Sequence, residues 1–141
     1  MSIVYLVDTN ILSEPTRATP DANVMRQLQR HRSSIATASV VWHELWFGCG
    51  RLPVSRKRTQ LETHFQDLLR SGLMILPYTQ AAAEWHSVER ARLTAIGQSP
   101  AFADGMIAAT AHHHGLVLVT RNVDDFNGFM GIRLENWFEV A

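Results

Sequence analysis

Acidic residues set in apolar company are the first candidates for chemistry in this sequence. Asp8 ends the run IVYLV, and Asp124 and Asp125 follow LVLVT within TRNVDDF. Glu44 sits inside VVWHELWFG, and Asp104 lies among small and apolar residues in PAFADGMIAATA. A carboxylate in such surroundings is costly unless it is paired or holds a metal, and little Lys or Arg stands beside Glu44 or Asp104 in the chain. Each acid also has an ordinary structural use. Asp8 in DTN can cap a helix, Asp104 can complement a helix dipole, and Asp124–Asp125 can shape a turn. As a set they suggest more. Two carboxylates brought within about 4 Å repel by about 4 kcal/mol at an effective dielectric of about 20. A cluster of them stays ionised only beside a cation. All-oxygen ligands favour Mg²⁺ or Mn²⁺. Such an ion orients water and offsets charge in phosphodiester hydrolysis.

The elements that must position these acids follow from hydropathy. Apolar runs predict strands at Ile3–Val7, Ser34–Ala36, Leu73–Leu76 and Leu116–Thr120, with a weaker one at Ile132–Leu134. Helical patterns fill the gaps at Asp21–Arg32, Ser39–Gly48, Arg56–Arg70, Thr79–Ile96 and Pro100–His114. Ser39 and Thr79 read as N-caps, Pro100 as a first helical residue, and Gly72, Gly97 and Gly115 as stops. Strands alternating with helices give an α/β fold with a mostly parallel sheet, and ligands in such sheets sit beyond the carboxyl ends of the strands. Asp8 and Asp124–Asp125 fall on that edge. At 141 residues one domain is expected, covering 1–141.

Composition narrows the function classes. Thirteen basic and thirteen acidic residues cancel, which excludes binding of nucleic acid by bulk positive charge. The cancellation is uneven, because residues 15–58 carry eight basic and two acidic side chains. Arg26, Arg30, Arg32, Arg51, Arg56, Lys57 and Arg58 lie there and could contact phosphates. Cys49 stands alone, so no intrachain disulfide forms, and a thiolate zinc site is disfavoured because such sites use several cysteines. The first ten residues lack a basic start, and no apolar stretch reaches membrane length, so a cytoplasmic protein without a membrane partner is expected. Three consecutive His, 112–114, point to different helix faces and cannot converge on one ion. They suit a helix C-terminus.

The sequence resembles the PIN-domain ribonucleases, and within them the VapC-type toxins of toxin–antitoxin pairs. The resemblance rests on VDTNILSE at 7–14, SVVWHELWFG at 39–48, SPAFADGMIAATAHHHGLVLVTRNVDDF at 99–126 and LENW at 134–137. It implies a three-layer α/β/α sandwich and a metal-dependent endoribonuclease. It assigns the acidic set to Asp8, Glu44, Asp104 and Asp125, with Asp124 as a second candidate, and gives Thr9, Thr120 and Asn122 supporting roles. It also implies a homodimer and a small VapB-like antitoxin that blocks the site. Trp42, Trp46 and Phe47 read first as core packing, and as their helix is apolar on more than one face, part of it suits a dimer or antitoxin interface; the basic residues could meet RNA or antitoxin. A binding module without cleavage is the competing reading. A phosphotransfer domain of dehalogenase type is disfavoured because Asn10 stands where a second Asp is needed.

Overall fold

The computed structural model describes residues 2–139. Five strands form one parallel sheet: β1 (Tyr5–Val7), β2 (Ile35–Ala38), β3 (Met74–Leu76), β4 (Val117–Val119) and β5 (Arg133–Glu135), in the order β3-β2-β1-β4-β5. Six helices connect and cover them: α1 (Thr9–Leu12), α2 (Ala22–Arg30), α3 (Ser39–Gly50), α4 (Arg56–Arg70), α5 (Gln80–Ala95) and α6 (Phe102–His114). The central strands read as unbroken apolar runs because both sheet faces are covered. Leu6, Val7, Leu118 and Val119 are fully buried. The chain runs outward from β1 to β2 and β3, then returns to the other side of β1 for β4 and β5. The order therefore reverses between β1 and β4, which is where such sheets open a crevice.

The helices begin and end for local reasons. Side chains of Asp21, Ser55 and Thr79 each accept a backbone N–H at the start of α2, α4 and α5. Gly115 takes the left-handed conformation (φ 65°) that ends α6. Two expected helix starts move. β2 continues through Thr37, whose hydroxyl donates to the Val7 carbonyl at 2.7 Å, so Ala38 is the N-cap of α3 and Ser39 is its first helical residue. Pro100 lies before α6, which starts at Phe102. Residue Phe65 of α4 is almost fully buried and packs edge-on against Trp46 (5.0 Å) and Trp42 (5.9 Å) of α3. Burying it contributes roughly 1.5–3 kcal/mol. That contact helps to fix α3, the helix that carries Glu44.

Candidate active site

Asp8 ends β1 at the reversal point and is 6% exposed. It also caps α1, so the capping use and a site role coincide in one residue. The Thr9 amide donates to its Oδ1 at 2.8 Å, and the Thr120 hydroxyl donates to its Oδ2 at 2.9 Å. The Thr9 hydroxyl and the Asn10 amide stand farther off, at 3.4 Å each. Each carboxylate oxygen thus has one close donor and keeps lone-pair capacity. Burial pushes the Asp8 carboxyl above its usual range against the opposing pull of these hydrogen bonds. Thr120, fully buried at the end of β4, also receives the Asn122 amide at 3.1 Å and the Asn10 side chain at 3.3 Å. Asn10 completes the bridge between β1 and β4 by accepting the Arg121 amide at 3.0 Å.

Asp104 lies half-buried in the first turn of α6. Its carboxyl is pushed up to about 6, first by burial and then by the charges of Asp125, Asp8 and Glu44. The four acids named from the sequence therefore share one electrostatic neighbourhood. Among the described residues no Lys or Arg forms a salt bridge with any of them. Nor do three His, Cys, Asp or Glu side chains gather tightly enough to grip one ion directly. The carboxylates stand within range of mutual repulsion rather than in a closed cage. Asp104, Asp124 and Asp125 border an open depression of about 580 Å³ that reaches back to Gln98 and Ala101. Glu44 is exposed on α3, next to His43, which stacks on Phe47.

The other expected residues divide. Thr9 and Thr120 brace Asp8 through their hydroxyls, whereas the hydrogen bond from Asn122 to Thr120 comes from its backbone. Asp124 and Asp125 both lie exposed in a 3-10 turn, Val123–Asp125, and only Asp125 figures among the charges raising Asp104. Among the basic residues, Lys57 donates to the Thr16 carbonyl and Arg58 to the Leu52 carbonyl. Arg26 bonds Asn23, and Arg51 lies over the Phe47 ring. Arg30 and Arg56 are exposed, and Arg32 lines an apolar groove between α2 and α4. His112–His114 form the last turn of α6, and His112 stacks on Trp85 at 4.4 Å.

Three residues correct or extend the reading from sequence. Glu89 does not lie on a solvated face as its Arg neighbours suggest; it is 7% exposed and bidentate to Arg92. It also accepts the Met130 amide, while Arg92 donates to the Gly128 carbonyl, so the pair fastens the loop that follows Asp125. The hydrogen bond from Arg92 holds the Glu89 carboxyl below its usual range. Glu14 is a second buried acid, and it accepts the Asp21 amide at 2.7 Å. Asn10 is the bracing residue that sequence reasoning passes over; its position two residues after Asp8, at the same strand end, is the signal that marks it.

No helix among the described residues is long and apolar enough to cross a membrane. Comparison with known proteins agrees with the geometry. The chain is 28% identical over 141 residues to a VapC ribonuclease, Y4jK, of Sinorhizobium fredii, covering 98% of this chain and 100% of that one. It is 30% identical over 126 residues to the toxin FitB of Neisseria gonorrhoeae, covering 87% and 91%. The crystal structure of DNA-bound VapBC from Salmonella typhimurium superposes with a TM-score of 0.83 at 27% identity, covering 96% of this chain and 98% of that one. The PIN domain model matches residues 5–128, which takes in every residue of the acidic set and its supports, and the chain belongs to the PIN domain family.

Proposed function

We propose that the chain, as a single nuclease domain, is a divalent-metal-dependent endoribonuclease and the toxin of a toxin–antitoxin pair. In this reading it works in the cytoplasm as a homodimer and is silenced by a small VapB-like antitoxin seated over the site. The observation that carries the reading is the gathering of Asp8, Glu44, Asp104 and Asp125 at the reversal point without a basic partner. The donor set is all oxygen, which fits Mg²⁺ or Mn²⁺. Its looseness fits an ion that retains several waters and meets some carboxylates through them. When bound, the ion supplies a polarised water and positive charge for the transition state.

The residues of the chain do the rest. Asp8 and Asp104 would be the main metal ligands, and Glu44 from α3 and Asp125 from the loop after β4 would bind directly or through water. Thr9, Asn10 and Thr120 hold the Asp8 carboxylate in one orientation, which keeps its free lone pairs aimed at the crevice. No histidine is needed as a general base. Asp8→Asn tests the assignment well, because it keeps the shape of the side chain and its amide oxygen can still accept the Thr9 amide. We expect purified protein to cut mixed RNA with Mg²⁺ and to stop in EDTA. The Asp8→Asn chain should fold normally and cut at background rate. Full cleavage by that variant, or equal fragments in EDTA, would overturn the proposal.

A further inference from the structure

Of the cations that sequence reasoning places near RNA, Lys57 and Arg58 are tied to backbone carbonyls and Arg51 lies over the Phe47 ring, and among the described residues none forms a salt bridge with the four acids. Beside them lies a groove of about 590 Å³ between α5 and the start of α6. Its chemistry comes from Tyr78, His86, Arg90 and Phe102. Phe102 is 51% exposed, although a ring of that size is ordinarily buried. The Arg90 guanidinium lies 5.2 Å from the Phe102 centroid, and the His86 ring lies 4.9 Å away. His86 is itself locked, with its Nδ1 2.8 Å from the Tyr78 hydroxyl and its Nε2 pressed against Gly105. Burial, and then the charge of Arg90, lower its proton affinity, so it presents a neutral ring. Arg90 is exposed, and among the described residues it forms no salt bridge.

The groove adjoins the acidic depression. Phe102 precedes Asp104 by two residues in the same first turn of α6. Thr94 and Ala95 line the groove, while Gln98 to Ala101, a few residues on, line the depression. At about 100° per residue Phe102 and Asp104 point to nearly opposite sides of α6, so the groove and the depression flank its N-terminal end, and a strand passing over that end meets both. An aromatic ring topped by a guanidinium plane is a surface on which any base can stack, and its positive charge matches the phosphates on either side.

We infer that this groove is a base-binding subsite for single-stranded RNA, in which a nucleotide flanking the scissile phosphate stacks on the Phe102–Arg90 pair. The inference rests on the ribonuclease reading and adds to it how the strand is held. It makes Phe102 and Arg90 substrate-binding residues and leaves the cutting chemistry to the acids. It also accounts for the fixed His86, whose tilted ring stands 4.9 Å from Phe102.

The test uses the full chain carrying Asp8→Asn, so that RNA stays intact, and a short fluorescent single-stranded RNA read by anisotropy over a salt series. Phe102→Ala and Arg90→Ala should each weaken binding roughly ten-fold or more. Arg90→Ala should also reduce the slope of log K against log salt by about 0.7, the loss of one phosphate contact. Arg90→Lys should restore the slope and leave a deficit in affinity, because the plane is gone. With Asp8 intact, the same variants should raise KM much more than they lower kcat. Unchanged affinity and KM in a chain that cuts RNA would overturn the subsite and leave the ribonuclease reading standing. A dimer that becomes a monomer in Phe102→Ala or Arg90→Ala, seen by light scattering, would overturn it as well by marking the groove as a subunit contact. Failure of the unaltered chain to cut RNA would instead remove the ribonuclease reading, and this inference with it.

Discussion

Asp104→Asn should inactivate the protein and stabilise it at the same time. The carboxyl is raised from 3.8 to about 6 in the folded chain. A shift of that size corresponds to about 3 kcal/mol at the usual 1.36 kcal/mol per pH unit. Asp104 is half-buried, and screening by water reduces this to on the order of 1–2 kcal/mol. The sign follows from proton binding. The folded chain holds the Asp104 proton more tightly than the unfolded chain, so stability falls as pH rises from about 4 to about 6. Below that window the group is neutral in both states and costs nothing. Above it the charge opposes folding in full. Urea titrations of both chains in EDTA, at steps from pH 4 to pH 8, isolate this residue when one curve is subtracted from the other. The variant should match the parent at the acid end and gain about 1–2 kcal/mol by neutral pH. Added Mg²⁺ at neutral pH should raise the parent and leave the variant nearly unchanged. A stability difference that is flat with pH, or that favours the parent at neutral pH, would refute the electrostatic account of the site.

Two further substitutions probe what holds the site in place. Thr120→Val keeps the shape of a fully buried side chain but removes the hydroxyl shared by Asp8, Asn10 and the Asn122 amide. It should cost about 1–3 kcal/mol in urea unfolding and cut cleavage sharply, whereas Thr120→Ser should recover most of both. Gly105→Ala places a methyl group 2.0 Å from His86 Nε2, inside any allowed contact. It should destabilise the chain by about 1–3 kcal/mol, and His86→Ala in the same chain should return part of the loss, a non-additivity that thermal or urea unfolding can read.

Much of the frame was legible because its physics is local. A parallel strand covered on both faces has no polar alternation, so LVLV and IVYLV stand out as strands. Caps such as Thr79 and stops such as Gly115 act on the adjacent turn. Apolar neighbours mark the candidate acids in the sequence, but that signal divides in the fold: Asp8 is buried and Asp104 half-buried, whereas Glu44 and Asp125 are exposed and carry no such conflict. What stayed hidden was long-range. The short helix α1 has only four residues, too few for a period to show. Glu89 sits in QAAAEWHSVERARLTA, where Arg92 three residues on suggests a surface pair. Its burial depends on Gly128 and Met130, which local sequence cannot place beside it. Asn10 looks like a turn residue, and its role appears only when β4 arrives beside β1. Ser39 looks like a cap because the sequence does not show that Thr37 remains tied to β1.

The hydrogen bond between Asp8 and Thr120 joins residues 112 positions apart, on strands that are neighbours in the sheet. No early stretch of the chain holds a working fraction of the site. While the chain is being made on a ribosome, Asp8 emerges first and waits through six helices for its partner strand. A chain broken off between α3 and β4 contains Asp8 and Glu44 but neither Thr120 nor Asp125. Under the ribonuclease reading, the topology therefore withholds the complete acid set until β4 has joined β1 in the sheet.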